Sequence, residues 1–133
     1  MSQLSATQLQ ALAQRYTQFA TSLNNFLDDN DVSDDASYQK LSDDATKAAN
    51  TGATLAIQAA AVTFDDAADA FTKLDAATAD ANKAAAALQN EAASIGRGIK
   101  IAAGMLSLAT ALVTANVANV FSSIVAIHNA VAS

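Results

Sequence analysis

Residues 101–133 read IAAGMLSLATALVTANVANVFSSIVAIHNAVAS and contain no Asp, Glu, Lys or Arg, so all 13 acidic and 7 basic residues lie before them. A helix on the surface of a soluble protein normally carries a charged face opposite its apolar face. Since this stretch has no charged face, we predict one helix, from about residue 99 to 130, that is buried on most sides. A bundle, other subunits or a membrane could cover it, because about 20 apolar residues suffice to cross a bilayer.

The same stretch combines a row of small residues with a branched apolar stripe. Small side chains recur at every fourth position from Ala103 to Ser123, which permits close contact with another helix. The hydroxyl and amide side chains suit contacts between helices better than contacts with lipid. The candidate membrane or oligomer interface consists of Arg97, Lys100, Ala103, Leu106, Ser107, Ala111, Val113, Ala115, Val117, Asn119, Val120, Phe121, Ile124 and Ile127.

Two cations precede the uncharged stretch. Arg97 and Lys100 are placed to hold the start of the helix at the level of lipid headgroups on the cytoplasmic side of a membrane. Ordinary solvation in a turn is the simpler alternative for both side chains.

Three amphipathic segments lie upstream. Apolar residues recur at spacings of three and four over about 5–27, 35–62 and 64–95, which predicts three helices. Thr63 and Asp66 resemble a capping box with Asp in place of Glu or Gln. We therefore predict a break at 62–65, with one long helix carrying a stutter as the alternative. Gly96 predicts the end of the third helix and a turn that leads into the last one.

The composition fits long uninterrupted helices. The chain has 133 residues, of which 35 are Ala and none is Pro, the residue that breaks helices. We predict an all-α fold, an antiparallel bundle of three to five long Ala-rich helices in one domain over 1–133. Residues 1–95 supply the amphipathic helices of that bundle, and 99–130 supply the uncharged apolar helix.

Several classes of protein are excluded by composition. The absence of Cys rules out a disulfide framework and a thiolate metal site. The net charge of -6 argues against a protein that tracks nucleic-acid phosphates, which needs a surface rich in Lys and Arg. We expect no nucleic-acid partner.

The residues that could carry chemistry do not form a convincing site. The acidic turn 28–35 fails as a calcium loop, because Asp34 stands where Gly is needed and Lys40 where Glu is needed. His128 has no acid within 30 residues in the sequence that could orient it as a general base. We predict no catalytic residue, no cofactor and no metal site, and therefore no enzyme.

The uncharged segment decides between the remaining functions. We predict a non-enzymatic, membrane-active helical protein with a soluble form, in which the masked C-terminal helix later engages lipid and forms an oligomeric pore. The alternative is a self-assembling structural protein, or a coat protein for apolar inclusions, with that helix in the core or between subunits. We expect a homo-oligomer, with a lipid bilayer or apolar surface as a further partner. The N-terminus has no signal-peptide pattern, which predicts cytoplasmic synthesis, with membrane association or signal-independent export both open.

Overall fold

The chain folds into an all-α bundle, as predicted. The computed structural model describes residues 2–57 and 63–132. Its helices are α1 (Ala6–Asp29), α2 (Asp35–Ile57), α3 (Ala67–Ala86), α4 (Ala92–Val113) and α5 (Val117–Ala132). Two short strands, β1 (Ser2–Gln3) and β2 (Thr63–Phe64), pair in antiparallel fashion.

Helix α1 lies at the centre of the amphipathic helices. Ser5 caps it, since its side chain accepts a hydrogen bond from the backbone of Gln8, whose side chain accepts one from the backbone of Ser5. The predicted stripe is buried along the whole helix, and Leu12, Tyr16 and Leu23 have no exposed surface. Helix α1 packs against both α2 and α3. We call these three helices the cover layer.

Helices α4 and α5 pack against each other and form the second layer. Helix α2 contacts α4 and helix α3 contacts α5, so the cover layer lies across one side of this pair. The hydroxyl of Tyr16 also reaches from α1 into α4. The bundle therefore places the acidic helices on one side and the two uncharged apolar segments on the other.

The predicted single helix over 99–130 is wrong. The chain turns at residues 114–116, where Ala115 has a φ of 59°, and this ends α4 and starts α5. The turn is stabilised locally, because the Thr114 hydroxyl donates to the carbonyl of Thr110. The side chain of Asn116 accepts from the backbone of Asn119, as an N-cap does.

The predicted boundary at Gly96 is also wrong. Helix α3 ends at Ala86 and α4 begins at Ala92, so Gly96 and Gly98 lie inside a helix. Gly98 lies in close contact with the flexible end of Leu88, since a Cβ there would lie 2.9 Å from Cδ2 of that side chain. The loop between the two helices folds back onto α4 at this point.

The predicted break near Thr63 is confirmed, because β2 occupies 63–64 and α3 starts at Ala67. The capping residue is different from the predicted one. Asp66 is the N-cap of α3, and its carboxylate accepts from the backbone of Asp69. The predicted end of the second helix, at about residue 62, lies outside the described residues.

One carboxylate is buried in the cover layer. Asp44 has no exposed surface, and one of its oxygens accepts from Lys40 at 3.2 Å. Its other oxygen, Oδ2, has no hydrogen-bond partner among the described residues. Water does not reach the Asp44 carboxylate, and among the described residues Lys40 is its only ion-pair partner.

Lys40→Met is expected to lower the free energy of unfolding by about 1–3 kcal/mol, because it leaves the Asp44 carboxylate buried and unpaired. Urea unfolding measures the loss. Adding Asp44→Asn to Lys40→Met should recover most of it, since a neutral amide costs less to bury than a charge. Equal stability of the Lys40→Met variant and the wild type would show that this ion pair does not compensate the buried charge.

Candidate membrane or oligomer interface

Helices α4 and α5 form an antiparallel hairpin that has no Asp, Glu, Lys or Arg after Lys100. Near its middle, the side-chain oxygens of Ser107 on α4 and Ser123 on α5 lie 3.0 Å apart and share a hydrogen bond. One turn further from the 114–116 turn, α4 comes close to Ile127 at Gly104. We call α4 and α5 together the hairpin, the 114–116 turn its tip, and the other end its open end.

The two glycines of α4 that differ most in their surroundings give opposite predictions. A Cβ at Gly104 would lie 2.8 Å from Cγ1 of Ile127, a residue with no exposed surface, whereas nothing lies within 4 Å of a Cβ at Gly96. Gly96→Ala is expected to stabilise the protein by about 0.5–1 kcal/mol. Gly104→Ala should destabilise it by about 1 kcal/mol, because overpacking outweighs the gain in helix propensity.

Thermal or urea unfolding of the two variants side by side measures this difference. Each change adds one methyl group to the interior of the same helix, so Gly96→Ala is a matched control for Gly104→Ala. Stabilisation by both changes would mean that α4 and α5 are not in close contact at Gly104.

The inner face of the hairpin is buried against the cover layer. On α4 it consists mainly of large apolar side chains that have almost no exposed surface: Ile101, Met105, Leu108 and Leu112. On α5 the corresponding side chains are Val120 and Ile127. Burial of such side chains is worth about 1.5–3 kcal/mol each relative to water. The hairpin is therefore held mainly by apolar contacts.

Directional contacts on each helix of the hairpin supplement this apolar packing. The hydroxyl of Tyr16 donates to the carbonyl of Met105 at 2.6 Å. Burial raises the pKa of the Tyr16 phenol well above its ordinary value, so the group stays a neutral donor. On α5, the ring of Phe121 meets Phe64 edge to face at 6.1 Å between centroids, and Lys73 Nζ lies 5.5 Å from its centroid.

The outer face of the hairpin is exposed, which corrects the prediction that the segment is buried on most sides. Beyond Lys100, its exposed side chains are small or polar, apart from Val113 and Val125, and with His128 neutral they are uncharged. Those on α4 are Ala103, Ser107, Thr110 and Val113, and those on α5 include Ala118, Asn119, Ser122, Val125, Ala126 and Asn129.

The structure divides the predicted interface residues into three groups. Ala111, Val120 and Ile127 are buried, and Leu106, Val117, Phe121 and Ile124 are partly buried. The exposed group consists of Arg97, Lys100, Ala103, Ser107, Val113, Ala115 and Asn119. The predicted residues therefore do not form one surface, because two helices with opposite directions carry them.

Arg97 and Lys100 lie within α4, at the open end of the hairpin, and both are exposed. The acidic turn between α1 and α2 is at the same end, since the Asn90 amide donates to the carbonyl of Asp31 at 3.1 Å. Carboxylates near the two cations weaken their attraction to anionic lipid. The structure therefore gives less support to a headgroup anchor than the sequence does.

The length of the hairpin limits how deep it can reach. By length and composition, α4 is the one helix among the described residues that could cross a membrane, with a mean hydropathy of 1.3 over a window that is 56% buried. The part of α4 that follows Lys100 is about 20 Å long at about 1.5 Å per residue, against about 30 Å for the hydrocarbon of a bilayer. Core helices of soluble proteins pass the same test of length and composition.

Chemistry of other kinds finds little support in the described residues. No group of three or more His, Asp or Glu side chains in ranges 2–57 and 63–132 could hold a metal ion. A cleft of about 320 Å³ between α3 and α5 brings Asp80 and His128 to its rim, over an apolar floor that includes Ala77 and Ile124. Its lining also includes Lys73, whose amine lies 5.5 Å from the centroid of the Phe121 ring, but no Ser, Thr or Cys side chain.

Sequence reasoning missed the interactions that hold the hairpin. Tyr16 belongs to the apolar stripe of α1, and only its phenol, a polar group on a core stripe, signals a partner elsewhere. Nothing in the sequence indicates that Phe64 and Lys73 contact Phe121 of α5, or that the Met105 carbonyl of α4 accepts a hydrogen bond from Tyr16.

Comparisons of this chain with protein families, with curated proteins and with solved structures found no match.

Proposed function

We propose that the protein is a non-enzymatic, membrane-active helical protein whose hairpin leaves the cover layer and enters the lipid bilayer tip first. The observation that carries the proposal is the fold of residues 101–132, which form two paired helices without a charged side chain when His128 is neutral. Insertion of such a hairpin moves no charge into the hydrocarbon. Both arms keep their backbone hydrogen bonds within their own helices, as the bilayer requires.

The interactions that hold the hairpin in water can be exchanged for lipid. Lipid tails replace the apolar packing of Ile101, Leu108 and Leu112 against the cover layer at little cost. The main polar interaction that insertion breaks is the hydrogen bond from Tyr16 to Met105, and the Met105 carbonyl also lies inside a helix. The cover layer is itself amphipathic and remains soluble through its charged side chains.

Insertion of several hairpins together fits the polar side chains better than insertion of one. Asn119, Ser122 and Asn129 would face lipid on a lone hairpin, whereas neighbouring hairpins offer hydrogen-bond partners. The uncharged parts of both helices of one hairpin are shorter than the hydrocarbon layer is thick, so an oligomer would be required to perforate the bilayer. We propose a pore of this kind as the membrane-active form.

Flotation of the purified protein with vesicles, with release of an enclosed dye recorded in the same samples, tests the function. We expect flotation and dye release with zwitterionic vesicles, and no stronger binding to anionic vesicles, because the protein carries a net charge of -6. Failure to float with either kind of vesicle would overturn the proposal. Flotation without dye release would overturn the pore and favour a coat on apolar surfaces.

A further inference from the structure

The outer face of the hairpin is the part of the surface where a second copy of this chain meets the least charge repulsion. The protein carries 13 acidic and 7 basic residues, all before residue 101. Copies that approach each other through the cover layer bring like charges together, which costs several kcal/mol when they are desolvated. The outer faces carry no acidic side chain, and Lys100 at their open end is the one charged residue that lines the groove between α4 and α5.

The shape of the outer face suits another helix pair. A shallow groove of about 460 Å³ runs between α4 and α5, with Ala103, Gly104, Ser107 and Ala126 along it and Lys100 at its open end. Small side chains on both walls allow the backbone of a second helix to approach closely. Val113 and Val125, two of the three large apolar side chains exposed in the described residues, lie at the two edges of this face, Val113 in a cleft beside α2 and Val125 in a cleft beside α3.

The area of the outer face is close to the lower limit for a specific dimer. Helix α5, the shorter of the two with 16 residues, spans about 24 Å, and two packed helices are about 20 Å wide. Pairing two such faces buries about 480 Å² on each copy, or about 960 Å² together, and specific interfaces start at about 1,000 Å².

We propose that two copies associate in solution through the outer faces of their hairpins, with two-fold symmetry. The four helices of the two hairpins form the middle of the dimer, and the two acidic cover layers form its outside. The dimer thereby covers the second side of each hairpin, which the cover layer of the same chain leaves exposed. This proposal does not depend on lipid binding.

Light scattering after size exclusion, without lipid and over a range of concentrations, measures the mass. We expect twice the 13.5 kDa mass of one chain. Thr110→Glu/Ser122→Glu places four carboxylates in the dimer interface at exposed positions, and should weaken dimerisation at least about 100-fold. Thr21→Glu/Thr46→Glu adds the same charge at exposed positions of α1 and α2, and should leave the dimer intact.

Circular dichroism establishes that both double variants are folded. A wild-type protein that is monomeric at every concentration would overturn the proposal. Dimers that survive Thr110→Glu/Ser122→Glu, or that dissociate equally in the Thr21→Glu/Thr46→Glu control, would overturn it as well. Because vesicles are absent, failure here leaves the membrane experiment as a separate test of function.

Discussion

Asn116→Asp/Asn119→Asp is expected to abolish dye release from vesicles without lowering the stability of the protein in water. The Asn116 side chain accepts a hydrogen bond from the backbone of Asn119 at 3.1 Å, and a carboxylate can do the same as an N-cap. Residue 119 is exposed in the first turn of α5, where negative charge is favourable. The soluble fold therefore tolerates both changes.

Insertion into lipid does not tolerate them. An Asp near the middle of a membrane helix costs about 2.5–3.5 kcal/mol, and the Asn that it replaces already carries part of this cost, so the two substitutions together add about 2–4 kcal/mol. Such a cost reduces the inserted population about 30- to 1,000-fold. Dye release from zwitterionic vesicles, which have no net surface charge, measures this loss, and urea unfolding measures the stability.

The matched control is Gln10→Glu/Gln14→Glu, which adds the same charge at exposed positions of α1. It should release dye as the wild type does. Undiminished release by Asn116→Asp/Asn119→Asp would mean that the tip does not enter the bilayer. Equal loss in both double variants would assign the effect to net charge and remove the support for tip-first insertion.

Leu12→Ala is expected to lower the free energy of unfolding by about 2–5 kcal/mol and to accelerate dye release. Leu12 lies in the cover layer, has no exposed surface and does not belong to the hairpin. Its truncation leaves a cavity in the core beneath the hairpin. Since the cover layer must separate from the hairpin before insertion, a weaker core raises the population of open molecules.

Urea unfolding and the initial rate of dye release at equal protein concentration test the two parts of this prediction. Asn25→Ala, at an exposed position of the same helix, should change stability by less than about 0.5 kcal/mol. A large loss of stability without faster release would contradict the masking of the hairpin by the cover layer.

The sequence predicted the amphipathic helices well because charge marks their solvent faces. In α1 the spacing of Leu12, Tyr16 and Leu23 identified one face, and that face is buried along the whole helix. The break before α3 was also readable, because the stripe changes phase at Thr63. The N-cap of α3 is Asp66 and not the predicted Thr63, because nearby polar residues compete for the same capping position.

The hairpin was harder to predict because its sequence has no charge contrast. A continuous apolar pattern from 101 to 131 hides the turn, whose signals are short-range: the hydroxyl of Thr114, the amide of Asn116 and the positive φ of Ala115. On a single helix the polar side chains of residues 107–123 would shift from one face to another, and the turn at 114–116 explains this shift. Because α4 and α5 are separate helices, the buried face of one does not continue the buried face of the other along the sequence.

The two glycines at 96 and 98 misled the boundary prediction for a related reason. Glycine is typical of helix ends, but it also allows close packing inside a helix. Gly98 serves the second purpose, because Leu88 occupies the space where its Cβ would be. Only the path of the loop 87–91 reveals this, and that path depends on tertiary contacts.

The central claim, that the tip of the hairpin enters lipid, is tested most directly by a fluorescent reporter. The chain contains no Cys, so Ala118→Cys, exposed near the tip, can carry a single polarity-sensitive dye, with Ala36→Cys on α2 as the control. With vesicles, the emission at 118 should shift to shorter wavelength and be quenched by spin-labelled lipid, while the dye at 36 stays in water. Water-like emission at 118 in protein that floats with the vesicles would contradict the account.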